Sequence, residues 1–384
     1  MKPSILSKEL AQKLTKEAQK CVGCKLCMKN CPMLEAFCDA PKELLSNIVK
    51  ENKIDPKIPY SCALCGYCTQ VCPKAVDLKE DFLALRKHVV SRNQGVPKSL
   101  KAGAVKFHQA HSFSKRFTGK ARSDTHGDKS MIFFPGCSLM AYNPQIVMKT
   151  YAYLKERLGS IGILLKCCGN PTYTMGEENK FIKYYGGLQQ DFDEMQVEEV
   201  IVACQNCFQT IGRNSSDIKV TSLWEVIGRL GVPEEVKNIG RTIEIPFALH
   251  DPCPTRNENK IHESVRRIVD ALGMKIEEFP FAKDQTLCCG SGAMIGVTNP
   301  SLATAQMKKR AQQTNCEYIL TYCEECVTSM KRGGKKSIHI LDLLFDKEIY
   351  KNLHFDQKSK NTLQKWMNRY KGKRMIEKRK FLEK

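Results

Sequence analysis

The sequence lacks the long apolar runs of a membrane protein. No uninterrupted apolar stretch approaches the roughly 18 residues needed to cross a bilayer, and the first twenty residues are polar and charged, without the apolar core of a secretion signal. We therefore expect a cytoplasmic protein in a reducing environment. Peripheral contact with the inner face of a membrane stays open.

Nucleotide-binding motifs are also missing. There is no P-loop, and the G-x-G in CCGSGAMIG follows paired cysteines rather than a strand leading into a helix. We expect no NAD, FAD or ATP site in this chain. Aromatic residues that could stack on bases are too few to indicate a nucleic-acid partner.

Cysteine and basic residues are abundant instead. The chain has 20 cysteines in 384 residues and a formal charge of +20. In a reducing compartment, clustered thiols bind metal more often than they form disulfides, and thiolate-ligated clusters are anionic, so they offset part of this charge. The remaining excess is concentrated in residues 86–130 and 355–384, which are candidate docking surfaces.

Two copies of one cysteine motif define the N-terminal part. CVGCKLCMKNCP begins at Cys21 and CALCGYCTQVCP begins at Cys62, and the segment between them has helical apolar spacing. Three cysteines at x-x spacing followed by x-x-x-C-P are typical of two-cluster ferredoxins, in which the fourth cysteine of each run ligates the other cluster. The alternative, structural zinc, usually uses two separated C-x-x-C pairs. We predict an all-helical ferredoxin domain over residues 1–85.

This pattern predicts two cubane 4Fe-4S clusters. We assign four cysteines to each: Cys21, Cys24, Cys27 and Cys72 to the first, and Cys62, Cys65, Cys68 and Cys31 to the second. Pro32 and Pro73 are expected to end the two loops. Cys38 lies outside the pattern, and we interpret it as a small buried residue.

After a basic linker over residues 86–130, a longer repeat appears, with matching landmarks about 116 to 121 residues apart. It predicts two domains, residues 131–243 and 244–352, followed by a basic tail over 353–384. Short apolar runs precede the cysteines, and longer helix-like segments separate them, which indicates parallel α/β sheets. The cysteines would then follow the carboxyl ends of strands, where such sheets bind ligands. We expect each repeat to gather its five cysteines at one sheet edge. These are Cys137, Cys167, Cys168, Cys204 and Cys207 in the first repeat, and Cys253, Cys288, Cys289, Cys323 and Cys326 in the second.

The paired C…CCG…C-x-x-C motifs behind a two-cluster domain resemble the family of the D-type subunit of heterodisulfide reductase, and similar layouts occur in the iron-sulfur subunits of anaerobic glycerol-3-phosphate dehydrogenase and glycolate oxidase. The resemblance covers the chain to about residue 350. It implies that each five-cysteine set (the CCG motif) binds a noncubane 4Fe-4S cluster. In that family such a cluster splits a disulfide by successive one-electron transfers. It also implies a catalytic role for the second set, from Cys253 to Cys326. Zinc in either repeat is the alternative.

One departure concerns the residue after Cys253. Many family members have a second histidine there, in a motif like HDPCH, whereas this chain has Pro254. His250, Asp251 and Arg256 are candidates for contacts around the cluster, with packing roles as the alternative. Cys316 lies between landmarks and is interpreted as an inert core thiol.

Two functions follow. In the first, a flavoprotein, hydrogenase-like protein or reductase subunit passes electrons through the two cubanes to the second repeat, which reduces a disulfide-type acceptor. In the second, the chain is a non-catalytic electron carrier of a flavin-dependent dehydrogenase of the glycerol-3-phosphate, glycolate or lactate type. A zinc-stabilised scaffold is a third hypothesis. The tail places Leu363, Trp366, Met367 and Tyr370 on one helical face, which suits a partner or an anionic membrane surface.

Overall fold

The N-terminal part of the chain is helical. A computed structural model describes residues 5–122, 130–351 and 360–378, and residues 5–93 contain helices but no strand. The helices are α1 (Lys8–Lys20), α2 (Pro32–Phe37), α3 (Pro41–Glu51), α4 (Lys57–Tyr60), α5 (Tyr67–Gln70) and α6 (Leu78–Asn93). This confirms the prediction of an all-helical domain.

Local sequence explains where several of these helices begin. Ser7 caps α1 by accepting a hydrogen bond from the backbone of Leu10, and Asp77 caps α6 in the same way from Glu80. Pro32, predicted to end the first cysteine loop, is the first residue of α2, where its missing N–H costs no helical hydrogen bond.

The first repeat folds as a sheet covered by helices. Its strands and helices are α7 (Gly103–Ser112), β1 (Gly119–Ala121), β2 (Met131–Phe134), α8 (Gly136–Tyr142), α9 (Pro144–Leu158), β3 (Gly162–Leu165), α10 (Asn170–Thr174), α11 (Glu178–Glu194), β4 (Glu199–Val202), α12 (Gln205–Asn214), β5 (Lys219–Ser222) and α13 (Leu223–Leu230). The strand order is β1-β3-β2-β4-β5, and all neighbours are parallel except β1, which runs antiparallel to β3.

The second repeat has the same topology without the extra edge strand. Its elements are β6 (Phe247–His250), α14 (Asn259–Ala271), β7 (Ile276–Glu278), α15 (Ile295–Thr298), α16 (Pro300–Ala311), β8 (Tyr318–Thr321), α17 (Glu324–Arg332), β9 (Lys336–His339), α18 (Ile340–Phe345) and α19 (Glu348–Lys351). Its strand order, β7-β6-β8-β9, is fully parallel. The shared topology confirms the α/β fold class of the repeats.

The five apolar runs of the sequence form the central strands. β2, β3, β4, β6 and β8 are almost wholly buried, as expected for parallel strands covered on both faces. One face of each sheet contributes to a single continuous core that includes Ile201, Trp224, Leu249 and Leu320. The two repeats therefore pack against each other as one body.

Two segments differ from the expected linker and tail. α6 continues past residue 85, α7 lies within the expected linker of residues 86–130, and β1 joins the first sheet. A final helix, α20 (Thr362–Lys378), packs on α8, α9 and β1. The proposed boundary at residue 352 and the segment 123–129 lie outside the described residues. Among the described helices, none is long and apolar enough to cross a bilayer.

Candidate iron-sulfur centres

The N-terminal thiols line two neighbouring cavities. One cavity is lined by all four cysteines of the first assigned set, together with Cys68. The other, largely apolar, is lined by all four of the second set, together with Cys288 of the second repeat. Cys72 thus lies with the first run of cysteines and Cys31 with the second, the exchange expected of a two-cluster ferredoxin.

The two cysteine loops share one backbone shape. The residues on either side of the middle cysteine have left-handed φ angles in both loops: Gly23 (71°) and Lys25 (61°) around Cys24, and Leu64 (50°) and Gly66 (74°) around Cys65. Glycine occupies the first of these positions in one loop and the second in the other. Each loop therefore holds one non-glycine residue in a conformation that L residues rarely adopt, which indicates a backbone held by its surroundings.

Each repeat brings its cysteines to the carboxyl ends of the strands. Cys137 follows β2, Cys167 and Cys168 follow β3, and Cys204 follows β4. The connection from β2 leads to β3 on one side, and the connection from β4 leads to β5 on the other. The crevice between β2 and β4 is therefore a topological switch point, the usual ligand position in open α/β sheets.

The five thiols of the first repeat form one connected group. The Sγ atoms of Cys137 and Cys167 are 3.7 Å apart. Cys168 lies beside Cys167 and Cys207, and Cys207 in turn lies beside Cys204. All five side chains thus lie within reach of one small bound group.

The second repeat repeats this arrangement. Cys288 lies beside Cys253 and Cys289, and Cys326 lies beside Cys289 and Cys323. Cys204 and Cys323 are the N-caps of α12 and α17, so each C-x-x-C pair occupies a first helical turn. The positive end of the helix dipole there stabilises thiolates.

The electrostatics of these groups favour a bound cation. Burial, together with the neighbouring thiols, raises the pKa of Cys27 to about 12. Hydrogen bonds from Cys167 and Cys207 lower the pKa of Cys168 to about 5, whereas hydrogen bonding to Cys167 and burial raise that of Cys137 to about 12. Since so many buried thiols cannot all ionise beside each other, positive metal ions are needed before the whole set can act as thiolates. The donor chemistry fits iron-sulfur clusters.

Comparison with known proteins agrees with this geometry. Residues 17–76 match the 4Fe-4S dicluster domain, and residues 131–212 and 247–331 both match the CCG cysteine-rich domain. The chain combines a dicluster ferredoxin domain with two CCG domains. It is an iron-sulfur electron-transfer protein.

Three of the relatives show how widely the similarity extends along this chain. The D-type subunit of the dihydromethanophenazine:CoB–CoM heterodisulfide reductase of Methanosarcina barkeri is 22% identical over 89% of this chain and 96% of its own length. The B-type subunit of the fumarate reductase (CoM/CoB) of Methanothermobacter marburgensis is 22% identical, covering 86% and 72%. The glycolate oxidase iron-sulfur subunit of Escherichia coli is 20% identical, covering 85% and 94%. These relatives confirm the resemblance seen in the sequence.

Contacts link the three domains at their thiols. Cys65 of the ferredoxin domain hydrogen-bonds to Cys288 of the second CCG domain, which lowers the pKa of Cys65 to about 6. Ser138, next to Cys137 of the first CCG domain, lies 3.4 Å from Glu325, which stands between Cys323 and Cys326 of the second. The four thiol groups therefore form a continuous series through the protein.

Residues outside the CCG motifs complete the first CCG site. Gln109 of α7 donates to the Cys167 sulfur at 3.5 Å, and its neighbour His108 lies beside Cys137. Arg369 of α20 is buried and donates to the Cys137 carbonyl at 3.0 Å and to His108 Nε2 at 2.8 Å. Sequence reasoning missed these residues because they lie in the expected linker and tail, and no local motif marks them.

The three candidates around the second CCG site have different roles. Asp251 is buried and accepts two hydrogen bonds from Arg266, both at 2.8 Å. Burial acts to raise the pKa of Asp251, but these contacts with Arg266 hold that pKa at about 2. Asp251 is therefore an ionised partner of Arg266 that stabilises the fold around the site. Arg256 donates to the carbonyls of Thr286 at 2.7 Å and of Cys65 at 3.4 Å, and so connects the ferredoxin and second CCG domains. The His250 ring lies beside Cys289.

The two cysteines outside the motifs line neither ferredoxin cavity. Cys38 is half-buried and contacts the Leu34 carbonyl at 3.3 Å. Cys316 is buried in an apolar cluster with its sulfur 3.2 Å from a Glu277 carboxylate oxygen. Burial and this carboxylate raise the pKa of Cys316, which keeps it a thiol.

The tail is only partly a free surface. In α20, Leu363, Met367 and Tyr370 are exposed, as expected of a docking face. Trp366 instead packs among aromatic rings of the expected linker, with its ring centroid 4.6 Å from that of Phe117. Gly372 and Ile376 lie buried on the opposite side of the helix. The helix is therefore anchored to the first CCG domain.

Proposed function

We propose that this protein relays electrons from a redox partner through two cubane 4Fe-4S clusters to two noncubane clusters in the CCG domains, where a disulfide-type acceptor is reduced. The cubane ligands are the two sets assigned from the sequence. The noncubane ligands are the five-cysteine sets of the CCG domains, since five connected thiols exceed what a tetrahedral zinc or a cubane uses.

The proposal depends above all on the order of the thiol groups. Cys68 of the second set lines the cavity of the first, and Cys65 and Cys288 line one cavity. Ser138, next to Cys137, lies 3.4 Å from Glu325, between Cys323 and Cys326. The order is therefore first cubane, second cubane, second CCG centre, first CCG centre. Each neighbouring pair of sites is linked by ligand cysteines or by residues beside them, so bound clusters would transfer electrons over short distances.

Electrons would arrive at the first cubane. Cys24 is exposed, and its loop presents Val22 and Leu26, which are 61% and 41% exposed, beside the exposed Lys25. An apolar centre with a basic neighbour suits an acidic redox protein, such as a flavoprotein dehydrogenase, a hydrogenase-like protein or a reductase subunit. Val22→Glu places a carboxylate in this loop and should slow the reduction of the protein by an acidic flavoprotein such as flavodoxin. The matched control is Ile182→Glu, since Ile182 is 62% exposed on the first CCG domain.

The acceptor would meet the protein where the CCG sites face each other. Cleaving a disulfide takes two electrons and two protons and gives two thiols, so the partner must supply two electrons for each turnover. Gln209 of the first CCG domain hydrogen-bonds to the carbonyl of Pro254, and Ser138 approaches Glu325 at 3.4 Å. These contacts hold the two sites against each other.

A second candidate function is a non-catalytic electron-transfer subunit of a flavin-dependent dehydrogenase. Pro254 favours it, because this residue follows Cys253 and cannot donate or accept a proton through its side chain. The similarity to the glycolate oxidase subunit favours it as well. In that case the CCG centres only pass electrons onward.

A disulfide-reduction assay separates the two functions. Protein reduced anaerobically with dithionite and then freed of it would be mixed with a small aromatic disulfide, and thiol release would be followed by absorbance. The first function predicts two thiols per two electrons stored, and loss of this reaction in Cys253→Ser but not in Cys316→Ser. Reoxidation by dyes without thiol release would support the carrier.

We place this activity in the cytoplasm, with peripheral contact at the inner face of a membrane as an option for the exposed side of α20. Leu363, Met367 and Tyr370 on that side are flanked by the exposed Lys371. Binding to anionic vesicles that weakens with salt would support this contact. We propose no nucleic-acid partner.

A further inference from the structure

A buried histidine faces the second CCG centre. His250 is the last residue of β6 and is fully buried, three positions before Cys253. Its Nδ1 receives two hydrogen bonds from Arg310, from Nε at 3.2 Å and from Nη2 at 3.1 Å. Sequence patterns do not reveal this contact, since Arg310 lies in the last turn of α16 and 60 residues from His250.

The arginine determines where the histidine carries its proton. A guanidinium group only donates hydrogen bonds, so Nδ1 must present a lone pair, and the ring proton must be on Nε2. Arg310 is held in place itself, because it donates to Gln313 at 2.8 Å and lies 3.8 Å above the Phe279 ring. The tautomer is therefore built into the fold.

The second ring nitrogen has no ordinary partner. Nε2 is buried and, among the described residues, finds no hydrogen-bonding nitrogen or oxygen. A ring nitrogen of His250 lies within 4.8 Å of the sulfur atoms of Cys289 and Cys326. Because Nδ1 has no proton to give, the group offered to these sulfurs is the Nε2–H.

We propose that His250 is a hydrogen-bond donor to a cysteine sulfur of the second CCG cluster, held in that role by Arg310, and is not itself a metal ligand. The inference rests on the proposed function, since it requires a cluster at this site. Coordination through Nε2 would require the proton on Nδ1, where it would point at the guanidinium. Donation to a ligand sulfur stabilises the more negative, reduced cluster and raises its reduction potential.

The donor is specific to the second CCG domain. The corresponding residue of the first domain, three positions before Cys137, is Phe134, which is equally buried at the end of β2. Phenylalanine offers no N–H to a sulfur. At this strand-end position, therefore, only the second CCG centre, the one next to the cubanes, has a donor, whereas the donor to the first centre is Gln109 of α7.

Two measurements test the proposal. On the unaltered protein, electron-nuclear double resonance of the second CCG signal, assigned by its loss in Cys326→Ser, should show a proton coupling that disappears in D₂O. A large ¹⁴N coupling typical of a coordinated imidazole, or no exchangeable proton, would overturn the inference. This measurement does not depend on whether any His250 variant folds.

A pair of variants gives the second measurement. His250→Phe, which copies the first domain, should lower the reduction equilibrium constant of this centre about tenfold, ~59 mV for a one-electron step. His250→Gln keeps an N–H and should shift it less, and the cubane potentials should not move in either variant. An unshifted potential in His250→Phe would contradict the role. If the unaltered protein has no second CCG signal and only about 8 irons, from two clusters of four, the proposed function itself fails. A cluster without the exchangeable coupling defeats this inference alone.

Discussion

Arg86 connects all three domains through one buried side chain. It is fully buried and donates to four carbonyl oxygens: Pro59 at 2.9 Å and Cys62 at 2.5 Å in the ferredoxin domain, Thr174 at 2.7 Å in the first CCG domain and Ala293 at 3.1 Å in the second. Replacing it with methionine keeps much of its apolar volume and removes all four bonds. The contact between the second cubane site and the CCG domains should then loosen.

The magnitude follows from these contacts. A hydrogen bond to a charged group is worth about 1.5–3 kcal/mol, but desolvation of the guanidinium offsets much of the sum. A buried carbonyl left without a donor typically costs about 1–3 kcal/mol, and after this offset we take a net loss of about 3–4 kcal/mol for the four. At 1.4 kcal/mol per factor of ten, Arg86→Met should raise the population of locally opened interface by roughly 10²- to 10³-fold.

Hydrogen exchange measured by mass spectrometry reports this opening directly. Backbone amides in residues 57–64 and 291–298 should exchange about a hundred times faster or more in Arg86→Met, while amides of β8 keep their protection. Arg92→Met is the matched control, because Arg92 lies on the same helix but is exposed. Unchanged exchange in Arg86→Met, or an equal effect in the control, would refute the reasoning.

Three further predictions concern other contacts. A Cβ added at Gly292 would clash with the ferredoxin-domain backbone, whereas one at Gly296 meets open space, so only Gly292→Ala should increase proteolysis between these domains. Equal proteolysis of both variants would contradict this. Arg369→Met should destabilise the first CCG domain by about 3 kcal/mol and lower its iron content, unlike exposed Lys371→Met, and full iron retention would count against the role. Burial raises the pKa of Asp81 to about 7, so the folded state holds a proton that the unfolded chain releases above about pH 4. The unfolding free energy should therefore fall as pH rises through this window, and thermal unfolding of Asp81→Asn against pH should show a flatter profile; an unchanged slope would exclude this origin.

Much of the fold could be predicted because its signals are local. The apolar runs MIFF and EVIVA are too short and too rich in β-branched and aromatic residues for buried helices, and they form β2 and β4. The cysteine spacings predicted which thiols lie together, because ferredoxin loops and strand ends fix those positions through the chain itself.

The contacts between domains could not be predicted in this way. Arg86 looks like the first residue of a basic linker, yet it is buried, because carbonyl oxygens from three distant segments surround it. Arg369 looks like one more charge of a solvated tail but reaches Cys137. More than 200 residues separate Arg86 from Ala293 and Arg369 from Cys137. No local periodicity of the sequence can indicate contacts between residues so far apart.

The most direct test of the central claim is the content of iron, acid-labile sulfide and zinc in anaerobically purified protein, together with electron paramagnetic resonance of thiol-oxidised samples. The proposed function predicts about 16 irons, from four clusters of four, and an unusual signal on oxidation. About 8 irons, with or without zinc, would confine the clusters to the ferredoxin domain and contradict a relay through the CCG domains.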